Sequence, residues 1–290
     1  MKVLVIGATG MLGYSLFSNL SDYKNLDVFG TVRSIKGKEI FFKNKKNKLI
    51  CDIHINDTNS IEKTINELRP NIVLNCIGLI KQNDASKQHI SAITINSLFP
   101  HQLANICDRN DSKLIHFSTD CVFDGMIGNY EENDLPTATD LYGKSKCLGE
   151  INYGRHITLR TSIIGHELST SVSLIDWFLN QEKCIDGFSK AIFSGLPTCY
   201  IAKILAELIF TNPELKGMYH LSVDPIDKFS LLSLVAESYK KKIAINNNTS
   251  FIINRSLDST NFRNLTGFVP PKWHELIEYM HDDYIKRYML

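Results

Sequence analysis

The clearest chemical signal in this chain is a tyrosine followed four positions later by a lysine. Tyr142 and Lys146 lie in YGKSK, within a stretch of helical periodicity from 139 to 150, so both side chains face one side of a helix. A free tyrosine, with a pKa of about 10, exchanges protons poorly at neutral pH. A neighbouring ammonium lowers that pKa, which suits proton transfer to a carbonyl oxygen. The pair predicts an acid catalyst at a ketone, although this spacing alone is common by chance.

A hydroxyl and a glycine-rich turn make the interpretation more specific. Thr119 directly follows an apolar strand, and its hydroxyl can polarise the same carbonyl. Near the start of the chain, Gly7, Gly10 and Gly13 separate a buried strand from a helix. Side chains at these positions would keep the backbone away from a pyrophosphate at the helix N-terminus. Together these features predict hydride transfer between a nicotinamide dinucleotide and a carbonyl group.

The residue after the second apolar run indicates which dinucleotide is bound. An NAD site usually has an acidic residue about 20 residues beyond the glycines, where it accepts hydrogen bonds from the ribose. Here Arg33 occupies that place, and no carboxylate lies between Val28 and Lys38. A guanidinium suits a 2′-phosphate, so NADP(H) is favoured over NAD(H). The alternative is that Arg33 is an ordinary solvated side chain.

Strands alternate with helices through the first half of the chain. The predicted strands are residues 3–6, 28–32, 49–53, 72–77, 114–117 and 157–159, with a late strand at 218–221. This alternation predicts an α/β protein with a Rossmann-type, doubly wound parallel sheet, whose ligands lie beyond the carboxyl ends of the strands. We assign residues 1–165 to an NADP-binding domain, to which 199–223 return. Residues 166–198 and 224–290 are assigned to a smaller C-terminal substrate-binding lobe.

The composition favours no nucleic-acid or membrane function. The 290 residues are 43% hydrophobic and 22% charged, with a formal net charge of +1. No apolar run approaches the ~18 residues of a membrane span. Seven cysteines are scattered without a C-x-x-C pair, which argues against a zinc site and for reduced thiols. We therefore expect a cytoplasmic protein with no bound metal, and a homodimer is left open.

The motifs beyond these features resemble the extended short-chain dehydrogenase/reductases, and among them the dTDP-4-dehydrorhamnose reductase (dTDP-L-rhamnose synthase) family. They are GATGMLG (7–13), CDI (51–53), NCIG (75–78), Asn96, STDCVFDG (118–125), YGKSK (142–146) and RTS (160–162). STD-x-VFDG is the specific motif, because the wider superfamily lacks it. The resemblance implies that Thr119, Tyr142 and Lys146 form a catalytic triad, and that Asn96 maintains a water path to the lysine.

The resemblance also implies the binding residues and the reaction. The implied cofactor contacts are Gly7, Gly10, Met11, Leu12, Gly13, Arg33, Asp52, Ile53, Cys76, Ile77, Gly78 and Lys146. Thr198 matches a position near the family's substrate lobe. Arg255 and Arg263, from the C-terminal lobe, suit either a diphosphate or surface ion pairs. The implied reaction is reduction by NADPH of the C4 ketone of a nucleotide-linked 4-keto-6-deoxysugar, for a surface polysaccharide.

Cys121 leaves a further activity open. The dehydrorhamnose reductases have tyrosine at this position, and the related 4,6-dehydratases have glutamate, so a dehydratase is not favoured. The related GDP-fucose synthase uses a cysteine here, with a histidine, to epimerise beside the ketone before reduction. Cys121 and His166 could form such an acid/base pair, and either could be an ordinary structural residue.

A different class of function is also open. The family that this sequence resembles includes the regulatory subunit of methionine adenosyltransferase, which is a binding module. A non-catalytic NADP-binding subunit is therefore an alternative. The intact set of Thr119, Tyr142 and Lys146 favours an enzyme.

Overall fold

The computed structural model describes residues 1–80 and 88–289. Its strands are β1 (Lys2–Ile6), β2 (Asp27–Thr31), β3 (Leu49–Ile50), β4 (Ile72–Asn75), β5 (Lys113–Thr119), β6 (Ile157–Thr161), β7 (Ile163–Ile164), β8 (Ile185–Phe188), β9 (Ala191–Phe193), β10 (Leu196–Pro197), β11 (Gly217–His220), β12 (Ile226–Asp227), β13 (Ile245–Asn248) and β14 (Ile253–Asn254). Its α-helices are α1 (Met11–Leu20), α2 (Thr58–Leu68), α3 (His89–Ala92), α4 (Phe99–Arg109), α5 (Leu141–Leu148), α6 (Leu174–Leu179), α7 (Thr198–Ile204), α8 (Lys228–Ser238), α9 (Thr260–Thr266) and α10 (Trp273–Arg287). A π-helical segment, Ile93–Leu98, joins α3 to α4, and another, Leu205–Ile209, continues α7.

Seven of these strands form one parallel sheet in the order β11-β6-β5-β4-β1-β2-β3. Val3, Leu4, Val5 and Ile6 of β1 are all 0% exposed, as expected of a central strand covered on both faces. The strand order reverses between β1 and β4, which is where ligands bind in sheets of this kind. The predicted Rossmann-type α/β fold is confirmed, and β11 is the predicted late strand.

Two strands are shorter than predicted, since β4 ends at Asn75 and β3 at Ile50. β3 contains only Leu49 and Ile50, whereas the apolar pattern predicts a strand as far as Ile53. Asp52 adopts a φ of 62°, which is a left-handed backbone conformation that a strand cannot include. The chain therefore turns away from the sheet at Asp52, directly beyond the carboxyl end of β3.

The other short strands form smaller sheets outside the central one. β10 pairs with β7, β9 lies between β12 and β14, and β13 pairs with β8. These pairings involve residues assigned above to the smaller lobe, whose boundaries stay a prediction. In the described part of the chain, no helix combines the length and the apolar character needed to cross a membrane.

The C-terminal helix returns to the first helix of the chain. In α10 the Arg287 guanidinium lies 2.6 Å from Asp283 and 2.7 Å from Asp22, which follows α1. The ring of Tyr288 packs edge-on against Tyr14 of α1, with centroids 5.4 Å apart. The end of the chain thus stabilises the helix that follows the glycine turn.

Candidate active site

The glycine turn between β1 and α1 has the geometry of a dinucleotide site. Gly7 has a φ of +88°, and a Cβ at Gly13 would lie 2.0 Å from the Gly7 carbonyl oxygen, so both positions require glycine. Gly10 is the exposed N-cap of α1, and no side chain caps the helix there. Met11 and Leu12 form its first turn. Backbone N–H groups at this end therefore stay available for a pyrophosphate, which fits NADP(H).

The other predicted cofactor residues follow neighbouring strands at the same edge of the sheet. Exposed Arg33 lies just beyond β2, Cys51, Asp52 and Ile53 follow β3, and Cys76, Ile77 and Gly78 follow β4. Ile77 packs closely on the turn, because its Cγ1 lies 2.7 Å from where a Cβ on Gly7 would be. A Cβ on Gly78 would lie 3.9 Å from the Lys146 Nζ. The structure thus brings the predicted cofactor edge up to the predicted catalytic lysine.

Two glycines hold α5 close to its neighbours. A Cβ on Gly143 would lie 2.2 Å from the Cys121 carbonyl oxygen, and one on Gly149 would lie 1.9 Å from the Asn96 carbonyl oxygen. The Asp140 carboxylate caps the helix by accepting a hydrogen bond of 2.8 Å from the Gly143 N–H. α5 is therefore fixed between the turn after β5 and the π-helical segment, with Tyr142 and Lys146 between these contacts.

Tyr142 and Thr119 meet at the carboxyl end of β5. The Thr119 hydroxyl and the Tyr142 phenol lie close enough to interact. The Thr119 hydroxyl also donates to Asp120 Oδ1 at 3.1 Å and accepts from the Cys121 N–H at 3.1 Å. Burial, and then the nearby Cys121 thiol, raise the pKa of Tyr142 above its ordinary value. The phenol is therefore protonated at neutral pH and able to donate its proton.

This direction differs from the sequence-based expectation that Lys146 lowers the pKa of Tyr142. The Lys146 amine donates to the Phe117 carbonyl oxygen at 2.6 Å instead of contacting the phenol, and its side chain is only 5% exposed. Burial lowers the pKa of Lys146 to about 8, and the Glu150 carboxylate acts in the opposite direction. The amine therefore carries its charge below about pH 8 and loses it above.

Asn96 connects the chain beyond β4 to α5. It lies in the π-helical segment, a helix type that often marks a functional site, and it is 1% exposed. Its Oδ1 accepts from the Leu79 N–H at 2.8 Å, and its Nδ2 lies 3.3 Å from the Leu79 carbonyl oxygen and 3.2 Å from Ser145 Oγ. The amide thus positions the catalytic helix, and the water path implied for Asn96 stays a prediction.

Cys121 lies beside the triad on the side of the C-terminal segments. Its Sγ is 3.5 Å from a guanidinium nitrogen of Arg255, which also donates from Nε to the Phe123 carbonyl oxygen at 3.0 Å. Burial, followed by the Asp120 carboxylate, raises the pKa of the Cys121 thiol to about 12, although Arg255 acts in the opposite direction. A thiol with such a pKa stays protonated at neutral pH, so almost no thiolate is present to act as a base.

His166 forms its contacts elsewhere. Its Nδ1 lies 2.5 Å from Asp176 Oδ1, its Nε2 lies 2.8 Å from the Tyr239 hydroxyl, and the side chain is buried. Both ring nitrogens are therefore occupied, which does not support the alternative in which His166 pairs with Cys121. Thr198 is also buried, and its Oγ1 lies 2.5 Å from where a Cβ on Gly165 would be. Its predicted contact with substrate stays a prediction.

The sequence reasoning missed two charged residues near Cys121. Asp120 is 6% exposed, and burial raises its pKa, with Arg255 opposing. Lys228, the first residue of α8, interacts with Asp120 and Cys121 across the site, and burial lowers its pKa. STDCVFDG contains Asp120 and could have flagged it, but no local pattern distinguishes Lys228 from any lysine at a helix start.

The chain is similar to two known proteins in sequence and to one solved structure in fold. The chain is 25% identical over 261 residues to methionine adenosyltransferase 2 subunit beta of Danio rerio, covering 82% of this chain and 74% of the relative. It is 26% identical over 234 residues to dTDP-4-dehydrorhamnose reductase of Aggregatibacter actinomycetemcomitans, covering 77% and 74%. The crystal structure of dTDP-4-dehydrorhamnose reductase from Bacillus anthracis in complex with NADP superimposes with a TM-score of 0.77 and 22% identity, over 97% of this chain and 99% of that one.

A family model decides the assignment. The model described as the RmlD substrate binding domain matches residues 1–285, which is nearly the whole chain. The resemblance to the dTDP-4-dehydrorhamnose reductases that the sequence motifs indicate is therefore confirmed at the level of the family. The chain belongs to the RmlD substrate binding domain family.

Proposed function

We propose that this protein is an NADPH-dependent reductase of the C4 ketone of a nucleotide-linked 4-keto-6-deoxysugar, and that it supplies a deoxysugar for a surface polysaccharide from the cytoplasm. The observation that carries the proposal is that Thr119 and Tyr142 interact at the carboxyl end of β5, while the Lys146 amine lies near Gly78 at the predicted cofactor edge. The Aggregatibacter relative has the name of such a reductase, and the Bacillus anthracis structure contains NADP.

The residues of the site have complementary tasks in this reaction. When bound, NADPH supplies the hydride. The Thr119 hydroxyl polarises the ketone, and the protonated phenol of Tyr142 donates its proton to the oxygen that becomes negative. The Lys146 ammonium, close to Gly78, has donors to hold the nicotinamide ribose. Asp120, Lys228 and Arg255 border the same site from the side of Cys121 and would face the sugar nucleotide.

The direct test is NADPH oxidation by the purified protein with dTDP-, UDP- and GDP-linked 4-keto-6-deoxyhexoses. We expect turnover with at least one of them, with one NADPH consumed for each alcohol formed. When deuterated NADPH is used, the deuterium should appear at C4 of the product. Binding of NADPH without turnover on any of these sugars would contradict the proposed enzyme.

That outcome would favour the alternative of a non-catalytic NADP-binding subunit. The observation supporting this alternative is the similarity to methionine adenosyltransferase 2 subunit beta over 82% of the chain. A protein of that kind would bind NADPH and a protein partner but would not oxidise the cofactor. The neighbouring Thr119 and Tyr142 favour the reductase, because a binding module has no need of a proton donor at this position.

The bifunctional alternative is epimerisation at C3 or C5 by Cys121 and His166 before reduction. The same assay, run in deuterium oxide, distinguishes it from simple reduction. Solvent deuterium at either carbon of the product would show epimerisation. Its loss in a Cys121→Ser, His166→Ala double variant would assign it to these residues. The contacts of His166 with Asp176 and Tyr239 lead us to expect no such label.

Replacing Arg33 with alanine should weaken the preference for NADPH over NADH. A charged hydrogen bond contributes about 1.5–3 kcal/mol, so we expect the ratio of the two kcat/KM values to fall by about 10- to 100-fold. The side chain is exposed at the edge of the predicted cofactor site, so the fold should be unaffected. Lys24→Ala removes an exposed cation beyond the other end of α1 and serves as the matched control. An unchanged ratio in Arg33→Ala would show that this guanidinium does not contact the 2′-phosphate.

A further inference from the structure

A buried histidine that the proposed mechanism does not use lies behind the catalytic lysine. His116, on β5, is 0% exposed, and its Nε2 lies 3.4 Å from the Lys146 Nζ. Its Nδ1 lies 3.1 Å from the Nδ2 of Asn75, the last residue of β4. His116 and Asn75 are opposite each other in the pairing of β4 with β5. The sheet itself therefore sets the positions of both side chains.

Asn75 determines which nitrogen of His116 carries the hydrogen. The Oδ1 of Asn75 accepts a hydrogen bond of 3.2 Å from the Ile77 N–H, so its NH2 group faces the imidazole. An amide NH2 only donates, and Nδ1 of His116 must therefore be the unprotonated acceptor. Burial, and then the neighbouring Lys146, lower the pKa of His116 well below its ordinary value, so the ring is neutral. A neutral ring with a bare Nδ1 carries its hydrogen on Nε2.

The Nε2–H group is consequently directed toward the amine of Lys146. An ammonium group has three donors and no lone pair, so it gains nothing from a second donor facing it. A neutral amine has a lone pair that can accept from Nε2–H. The Phe117 carbonyl oxygen, which accepts from Nζ at 2.6 Å, is compatible with both forms of the lysine.

We propose that His116 is a positioning residue for Lys146: Asn75 holds it as the Nε2–H tautomer, and the fixed N–H group favours the neutral amine over the ammonium. Its consequence for turnover rests on the function proposed above. A lysine that exchanges its proton near neutral pH can return to Tyr142, through the water path predicted at Asn96, the proton that the phenol donates.

Other groups around Lys146 act differently from His116. Glu150, at the end of the same helix, favours the ammonium. Asn96, in the π-helical segment, has an uncharged amide. His101, in α4, acts electrostatically on His116. Asp120, in the turn after β5, acts on Tyr142 and Cys121. Among the described residues, His116 is thus the titratable side chain in contact with the Lys146 amine.

The first test is the tautomer itself, measured by NMR of ¹⁵N-histidine-labelled protein without cofactor or substrate. We expect His116 to be neutral with its proton on Nε2, and its signals to be assigned by their loss in His116→Gln. A proton on Nδ1, or a charged ring at neutral pH, would overturn the proposal. The protonation state is read from the wild-type chain, and the variant serves only to assign the signals.

The second test is Asn75→Leu, which removes the donor to Nδ1 without adding charge. The imidazole proton can then move to Nδ1, and Nε2 becomes an acceptor for the Lys146 ammonium. A hydrogen bond to a charged group contributes about 1.5–3 kcal/mol, so the pKa of Lys146 should rise by about one to two units. The pKa is measured by NMR titration of the labelled lysine, with its signal assigned by Lys146→Arg. The pH at which kcat/KM falls on the alkaline side should rise together with the pKa of Lys146.

Ser112→Ala is the matched control. It also removes a buried hydrogen bond, from Ser112 Oγ to the Pro70 carbonyl oxygen at 2.6 Å, next to the amino end of β5. The pKa of Lys146 should not change in this variant. An unchanged pKa in folded Asn75→Leu would overturn the proposal. Because both titrations are made without cofactor or substrate, a protein that shows the shifts but reduces no sugar would contradict only the proposed function.

Discussion

Replacing Tyr142 with phenylalanine is expected to lower turnover by at least ~10²-fold, the effect of losing a general acid. Phenylalanine keeps the aromatic ring and removes only the hydroxyl that interacts with Thr119. The proton that the new alkoxide needs would then have to come from water. The affinity for NADPH should change little, because the cofactor contacts we predict do not include this hydroxyl. The measurements are kcat with the reactive sugar nucleotide and the dissociation constant of NADPH.

A second tyrosine provides the control for this variant. The Tyr153 hydroxyl contacts His101 Nδ1 at 2.7 Å, and Tyr153 is exposed. Tyr153→Phe therefore deletes the same kind of hydroxyl and its hydrogen bond, and turnover should stay close to that of the wild type. If Tyr142→Phe keeps most of its turnover as well, the phenol is not the proton donor and the assignment of this site fails.

The features that the sequence alone predicts are those with short-range causes. The uninterrupted apolar run of β1 indicates burial on both faces, and the spacing of Gly7, Gly10 and Gly13 indicates a turn without side chains. Alternation of such runs with helices then predicts a parallel sheet, and a parallel sheet places the ends of its strands along one edge. For this reason the positions of Arg33 and Thr119 at that edge could be predicted without knowing any long-range contact.

The partners of the site residues could not be predicted in this way, because they come from distant parts of the chain. Tyr239, which occupies a ring nitrogen of His166, is 73 residues away in sequence. Arg255, which contacts the Cys121 thiol, is 134 residues away. The pKa of Tyr142 depends on distant parts of the chain in the same way, since burial by the surrounding elements is the largest influence on it. Local spacing predicts which face a side chain occupies, whereas tertiary packing decides what that face meets.

The glycine turn allows a sharper test, because two of its glycines should respond differently to alanine. A Cβ at Gly13 would lie 2.0 Å from the Gly7 carbonyl oxygen, and a backbone atom cannot move aside without disturbing the turn. Overpacking of this kind costs about 1–3 kcal/mol, which corresponds to a decrease in Tm of roughly 2–12 °C at this chain length. We therefore expect Gly13→Ala to lower the Tm of the protein without cofactor and also to lose NADPH binding.

Gly10→Ala is expected to separate binding from stability. Its added Cβ would meet the Gly7 carbonyl oxygen at 3.6 Å, an ordinary contact, and the φ of −80° is allowed for alanine. The Tm without cofactor should therefore stay near that of the wild type. The affinity for NADPH should still fall by at least about tenfold, or ~1.4 kcal/mol, because the methyl group would stand where the pyrophosphate approaches the helix. Thermal unfolding gives the Tm of both variants, and calorimetric titration gives their affinity for NADPH. Equal affinities in Gly10→Ala and the wild type would mean that the dinucleotide does not lie on this turn.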